Sequence, residues 1–510
     1  MSTTWEMLAG EQGLRVDWPQ ADEAVAECEP GQFSVLVAAL ATQATLADLF
    51  VARAPGIPAR LVAVLQAPKD ATWLLLSCEV GGSGFPSLTP QLHGASWYER
   101  EIYELHGLEP IGHPALAPQR IHLGEEVRHH GGRAPGQTGG PVRRRPAVTG
   151  QGVFQLPLGP VRSGPQEAAA FFFSSGGEDI VDVDLRLGFK HRAIEVLAEG
   201  RRADQVIQLA ERLAGTSAFA NGLAYTRAVE RVLGAEVDEV AEHTRALFGE
   251  LERFYNHVGT IGRLAEATGL LVAAAQYGLI KEEALREAGR LSGHRYLRGV
   301  IKVGGVELVP APGTRQQLRA DVASWAPRTE QLRRLLEQTS TFIDRLDTTA
   351  VLTPEYAMEH GLVGPVGRAS GVARDVRRDH PYAAYPKVRF EVPSLLDGDA
   401  EARFEVVTSE LAQSIMLMSQ LLDGWPTAGG GVDAPHWRPG AALGWAEAPG
   451  GEALHWVNLD EAGRIVQWRA RPPAVVNWHA FAQACGSGNN LTDFPVIEAS
   501  FAISPAEFDR

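Results

Sequence analysis

The residues best equipped for chemistry crowd into one short block. Arg368, Asp375, Arg377, Arg378, Asp379 and His380 lie within a stretch that also carries several glycines. Buried charges must be paired, so this density predicts an ion network. Two roles stay open for it, moving protons or fixing a loop. The three cysteines, Cys28, Cys78 and Cys485, form no CxxC pair and no zinc-type spacing with histidine. That predicts no disulfide framework and a reducing compartment. It also predicts no iron–sulfur cluster held by this chain alone, since a cluster takes four thiolates. There is no P-loop, no GxGxxG after a strand, no GxSxG elbow and no HExxH.

The elements that must position these residues follow from patterning. The 510 residues suffice for two or three domains, and a formal net charge of -15 argues against nucleic acid and anionic lipid as partners. Met1–Gly10 is polar and acidic and does not read as a signal peptide. The most apolar long stretch, Gly269–Ile280, is too short to span a bilayer. Leu61–Leu65 and Trp73–Cys78 read as strands and Trp97–Leu105 as a helix. Arg128–Pro146 is rich in Gly, Pro and Arg and reads as a linker. Its Arg143–Arg145 run could meet an acidic partner, although a solvated linker explains it more simply. Asp179–Phe189 alternates as a half-exposed strand.

Helices dominate after that. Ile194, Leu197, Val206, Leu209 and Leu213 fit one apolar face, and Val240, Leu247, Leu251, Phe254, Val258, Ile261 and Leu264 form a longer stripe. Leu332, Leu335, Leu336, Phe342, Ile343 and Leu346 make another, and Val407, Leu411, Ile415, Met418 and Leu422 a fourth. Leu443–Pro473 reads as a hairpin or small sheet. The fold class is therefore α+β: a small N-terminal α/β domain (1–125), a linker (126–150) and a large, mainly helical domain with small peripheral sheets (151–510).

Longer strings carry a family resemblance. "WYEREIYELHGLEPIGHP" (Trp97–Pro114) resembles the signature of the C-type subunit of complex I and its hydrogenase relatives, with Glu99, Arg100, Glu101, Gly107, His113 and Pro114 in place. A salt-bridged surface helix would explain its charges but not the whole string. "GPVRSGPQEAAAF", "DVDLRLGFKHRAIEVLAEGR", "LSGHRYLRGVIKVGGV" and "GLVGPVGRASGVARDVRRDHPYAAY" resemble blocks of the D-type subunit of complex I and of group 4 nickel–iron hydrogenase large subunits. The C-terminal "RARPPAVVNW" and "LTDFPVIEASF" continue the match, which runs from about Ser34 to Arg510. Fusion of the two parts in one chain is similar to formate-hydrogenlyase-type large subunits.

The resemblance implies a site and also a departure from it. Relatives hold nickel and iron with two CxxC pairs. Here Ala214 and Ser217 stand at the first pair and Ser504 and Glu507 at the second, and Asn221 replaces a histidine. Hydroxyl, methyl and carboxyl groups are poor substitutes for soft thiolates. Complex I instead implies a quinone pair, His and Tyr, at positions held here by Arg162 and Gly215. By resemblance, Arg212 flanks the cluster of a neighbouring protein and Glu167 is a buried acid with a raised pKa that exchanges protons with the cavity. A water-facing carboxylate is an equal reading of Glu167. Arg368, Asp379 and His380 lie near the cavity, and Arg162, Gly215, Ser217 and Asn221 line it. His191 is expected to bond a neighbouring loop, and Met418 to fill core.

The expected function is an oxidoreductase subunit in a membrane-associated, NADH-quinone oxidoreductase-like or energy-converting-hydrogenase-related complex. The expected partners are a small iron–sulfur protein like the B-type subunit of complex I, carrying a [4Fe–4S] cluster, a ferredoxin-like subunit and antiporter-like membrane subunits. No cofactor is expected on this chain alone, and a quinone is one acceptor. The expected place is the cytoplasmic side of the membrane. The alternatives are a non-catalytic scaffold in such a complex and a hydrogenase with an atypical ligand set.

Overall fold

A computed structural model describes residues 4–54, 56–67, 71–82, 84–116, 119, 148–163, 166–427, 436–486 and 488–510. The Arg128–Pro146 stretch, with Arg143–Arg145, lies outside the described residues.

The N-terminal part is built on five strands: β1 (Val16–Gln20), β2 (Glu23–Glu27), β3 (Thr45–Ala54), β4 (Ile57–Gln66) and β5 (Trp73–Glu79). Their order is β1-β2-β5-β4-β3, with β2 and β5 parallel and the other neighbours antiparallel. Helices α1 (Thr4–Glu11), α2 (Phe33–Leu40) and α3 (Ser96–His106) accompany the sheet. Alternation divides its side chains. Leu61, Ala63, Leu65, Leu74 and Leu76 join one core, whereas Val62, Val64, Trp73 and Leu75 join the core of the large helical part. The sheet is therefore buried on both faces and fused to its neighbour through Trp73 and Phe50. Short parallel strands β6 (Gly84–Pro86) and β7 (Glu109–Ile111) flank α3. Helix α3 ends at Gly107, whose φ of 66° is the left-handed cap a glycine adopts without strain.

The large part opens with the antiparallel sheet β8 (Val153–Leu158), β9 (Ala170–Gly176) and β10 (Asp179–Arg186). The apolar face expected over residues 194–213 is two helices, α4 (Ile194–Ala198) and α5 (Ala203–Ala210). Gly200, at φ 73°, interrupts them and leaves Leu197 exposed. Then come α6 (Ala218–Leu233), α7 (Glu239–Ala267) and α8 (Leu271–Ser292). Asp238 caps α7 by accepting the Ala241 N–H at 2.9 Å. A two-residue ribbon, β11 (Ile301–Lys302) and β12 (Gly305–Val306), precedes α9 (Pro312–Glu337) and α10 (Ser340–Leu346), which share the third apolar stripe.

Three short helices follow, α11 (Pro354–Glu359), α12 (Gly364–Ala369) and α13 (Val376–Asp379), the last two carrying the charged block, and α14 (Ala400–Asp423) closes the bundle. The residues of 443–473 form the antiparallel sheet β13 (Gly440–Ala448), β14 (Gly451–Leu459) and β15 (Ile465–Arg471). Helices α15 (Ala474–Cys485), α16 (Phe494–Phe501) and α17 (Pro505–Asp509) end the chain. The architecture is the expected α+β arrangement. Among the described residues no helix is long and apolar enough to cross a membrane.

Candidate functional site: a buried acid cavity

Helix α7 is buried nearly all round, so the polar residues beside its apolar stripe must find partners inside the protein. Glu252 accepts the backbone N–H groups of Phe219 and Ala220 at 2.8 and 2.9 Å. It thereby caps the start of α6 from a neighbouring helix. Ser217, at the cap position itself, makes no capping bond and keeps its hydroxyl for another use. That hydroxyl donates to the Glu507 carboxylate, and the Asn221 Nδ2 donates to Ser217 Oγ at 2.9 Å. Asn221 Oδ1 lies 3.1 Å from His455 Nε2, and Trp468 Nε1 donates to His455 Nδ1 at 3.0 Å. Since Nδ1 accepts, Nε2 carries the proton, and the imidazole is neutral. Burial, with Arg471 and Arg510 nearby, holds His455 at about 3.

Ser217 and Glu507 share the wall of a cavity of about 30 Å³ with Thr216, Asn256, His257 and Ser504. That is room for one or two water molecules. The acids around it are hard to ionise. Burial, reinforced by Glu167, pushes Glu507 up to about 7 against the Ser217 hydrogen bond. Burial pushes Glu252 up to about 8 although it accepts two backbone N–H groups. An acid near 7 exchanges protons at neutral pH. Glycines shape the rim. Gly364 sits at φ 64°, and a Cβ there would meet the Gly450 carbonyl oxygen at 2.1 Å. Only glycine lets α12 approach this edge of the β13–β14 turn.

His257 joins the cavity to the charged block, its Nε2 lying 2.8 Å from Glu410 Oε2. Arg368 reaches Glu410 at 2.7 Å, Glu447 at 3.0 Å and Asp375 at 3.3 Å. Arg377 reaches Glu250 at 2.9 Å and Asp375 at 2.6 Å, and Arg253 lies 3.7 Å from Glu250 and from Glu410. Four buried acids thus face three guanidinium groups, and one retained proton balances the set. It settles on Glu447, raised to about 7 by burial and by Asp375 beside it. Burial also raises the cost of ionising Glu410, but Arg368 and His257 outweigh it and hold that acid at about 2.

The sequence-predicted residues divide. Ser217 lines the cavity and Asn221 stands directly behind it. Glu167 is half-buried and accepts the Ser504 hydroxyl and, at 3.0 Å, the Ala506 N–H, so it braces the cavity wall from behind. Arg162 is tied to Glu498 and to the Glu167 carbonyl, and stacks over Phe171 at 5.3 Å. It does not face the cavity. Gly215 lies toward open space, where an added Cβ would meet nothing within 4 Å. Arg212 is exposed, just past the end of α5, and donates to the Gln208 carbonyl of that helix at 2.6 Å. Arg368 is the centre of the network. Asp379 caps the Asp375 N–H at 2.9 Å and pairs with Arg378, away from the cavity. His380 stacks on Trp73 of the N-terminal sheet at 4.3 Å and packs the two parts together. His191 binds the Asp509 carbonyl at 2.6 Å, at the end of helix α17 and not on the loop expected for it.

Sequence reasoning does not single out Glu252, His257, Glu410, Glu447 or His455. For His257 a signal exists, since Glu250, Arg253 and His257 keep helical spacing beside an apolar stripe. Three of the four hydrogenase-type ligand positions do converge, since Ser217, Ser504 and Glu507 line one cavity. They offer hydroxyls and a carboxyl, and none of Cys28, Cys78 and Cys485 lines the cavity. This donor set does not fit a nickel–iron centre.

Comparison with known proteins agrees with the chain's two-part build. A model of the 30 kDa subunit of respiratory-chain NADH dehydrogenase matches residues 17–144, and one of the 49 kDa subunit matches residues 270–438. Formate hydrogenlyase subunit 5 of Escherichia coli is 30% identical over 460 residues, covering 84% of this chain and 78% of that one. The membrane-bound hydrogenase subunit alpha of Pyrococcus furiosus is 30% identical over 365 residues, 68% of this chain and 85% of that one. Among solved structures, a chain of the membrane-bound sulfane sulfur reductase, an archaeal respiratory membrane complex, aligns with a TM-score of 0.67 and 29% identity. That alignment covers 72% of this chain and 100% of the other. This chain therefore belongs to the family of formate hydrogenlyase subunit 5, in which parts akin to the 30 kDa and 49 kDa subunits of respiratory NADH dehydrogenase are fused in one polypeptide.

Proposed function

We propose that this chain is the cavity-bearing subunit of a membrane-associated redox complex and works there without nickel–iron chemistry. The observation that carries the proposal is the Ser217–Glu507 hydrogen bond, which occupies two hydrogenase-type ligand positions with a proton-exchanging pair. A [4Fe–4S] cluster in a small partner like the B-type subunit of complex I would deliver electrons toward the cavity. Glu507, braced by Ser217, would supply the proton that a reduced acceptor takes up. The cavity's size favours a small acceptor over a quinone ring in this conformation. A ferredoxin-like subunit and antiporter-like membrane subunits complete the assembly, which places this chain peripherally on the cytoplasmic face.

The test is gentle isolation of the tagged chain from membranes of its native host, with mass spectrometry of its partners and metal analysis. The expected result is an iron–sulfur subunit and polytopic proteins in constant proportion, with iron and no stoichiometric nickel. Stoichiometric nickel would restore the hydrogenase reading. A chain recovered alone would overturn the complex.

A further inference from the structure

The two cysteines of the N-terminal sheet are unrelated in sequence, but the fold sets them side by side. Strands β2 and β5 run parallel from the pair Glu23 and Trp73 to the pair Glu27 and Ser77. One residue further brings Cys28 beside Cys78, and the Cys28 N–H donates to the Ser77 carbonyl at 3.0 Å, so the register holds. Both side chains point to one face. Ala24, Ala26, Leu74, Leu76 and Cys78 belong to a single core cluster, and Cys28 packs against it. Neighbouring strands lie about 4.8 Å apart, within the Cα separation of roughly 4.4–6.8 Å that a disulfide spans.

The two thiols are not equivalent. Cys78 is buried, and its thiol beside Cys28, with Arg60 nearby, holds the Cys28 thiol below the ordinary range. Cys28 is only partly buried. Cys78 also lines a pocket of about 110 Å³, walled by Pro30, Gly31 and Gly84, which gives a small oxidant access. A partly exposed, activated thiol beside a second, resolving thiol is the arrangement of a redox-sensitive pair.

We propose that Cys28 and Cys78 form a reversible intramolecular disulfide, with a small-molecule disulfide such as oxidised glutathione as the oxidant. The Cys28 thiolate attacks one sulfur of the oxidant, forming a mixed disulfide and expelling one thiolate. Cys78 then loses its proton to that thiolate and attacks the Cys28 sulfur, expelling the second. Two protein thiols are oxidised to one disulfide while one small disulfide is reduced to two thiols. The bridge ties the end of β2 to the centre of the sheet. The same strand carries Glu23, which grips Arg231 of α6 at 3.0 Å, so the bond stiffens the contact between the two parts.

The experiment incubates the reduced, purified full chain with millimolar oxidised glutathione, alkylates the remaining thiols and maps peptides without reduction. The expected result is a Cys28–Cys78 linked peptide, alkylation confined to Cys485, and loss of the link on adding dithiothreitol. Cys78→Ala is expected to trap glutathione on Cys28. Full alkylation of Cys28 and Cys78 in the wild-type chain after this treatment would overturn the proposal. So would a glutathione adduct on Cys28 that persists with Cys78 intact.

Discussion

Ser217 and Glu507 are 290 residues apart and share one buried hydrogen bond. The bond holds because Glu252 takes over the capping of α6 and leaves the serine hydroxyl free. Burial, reinforced by Glu167, outweighs that bond and leaves a carboxyl group that keeps its proton up to about pH 7. An acid whose folded pKa lies above its unfolded value binds a proton more tightly when folded. Its stabilising effect is complete below the unfolded value near 4.5 and is lost as pH rises through 7. Glu507→Gln removes that loss. The variant should match the wild type in melting temperature near about pH 4 and melt higher near about pH 8.5, with a stability gain of at most roughly 3 kcal/mol. Thermal scans at the two pH values decide it, and equal melting at the higher pH would refute the buried protonated acid.

How much of this is legible in the sequence depends on the range of the interactions. Helices α7 and α14 are readable because their stripes repeat every three or four residues. Strands β4 and β5 are readable as short apolar runs. Helix α6 escapes such a reading because it is buried nearly all round, with Phe219, Leu223, Tyr225, Val229 and Val232 interleaved with buried small and polar residues, so that no single stripe stands out. The charged block stands out, and its pairing is expected, but its acids Glu250, Glu410 and Glu447 come from distant strands and helices that no local pattern links. Spacing likewise gives no hint that Arg212 faces solvent while Ser217, five residues on, is sealed in. The surface-helix reading of Trp97–Leu105 also fails here, because Glu99, Glu101 and Glu104 are all buried.

Arg368 is fully buried among three acids. Removing one member of such a set leaves uncompensated buried charge, at a cost of about 3–5 kcal/mol. Arg368→Met should therefore lower the melting temperature sharply or abolish soluble yield. The double variant with Glu410→Gln should recover part of the loss, since Glu410 is the acid that Arg368 keeps ionised. A double variant no better than the single one would show that Glu410 does not share the charge of Arg368.

Glu167 supports the cavity through Ser504 and Ala506 without lining it. Glu167→Gln keeps an oxygen for those two donors but cannot carry charge. If Glu167 relays protons, turnover of the purified complex should fall by roughly 10²–10⁴-fold, with partner content unchanged. Unchanged turnover across the pH range would count against a proton role and leave Glu167 a brace.

The last residue of the sequence connects the N-terminal signature to the cavity. Arg510 is buried and pairs with Glu101 of α3 and, at 3.1 Å, with Glu195 of α4. Glu101 in turn holds Arg469 of β15 at 2.7 Å. Between these anchors and Asp509, which accepts the Gly188 and Lys190 N–H groups at 2.6 and 2.8 Å, helix α17 is pinned and Glu507 is aimed at Ser217. Glu101→Gln weakens the hold on both arginines at once, a loss of about 2–5 kcal/mol for a buried charge pair. The variant should fold but release α17. Hydrogen exchange over residues 505–509 should then accelerate while α7 stays protected. If that exchange is unchanged, the link from the N-terminal part to the cavity does not run through Glu101.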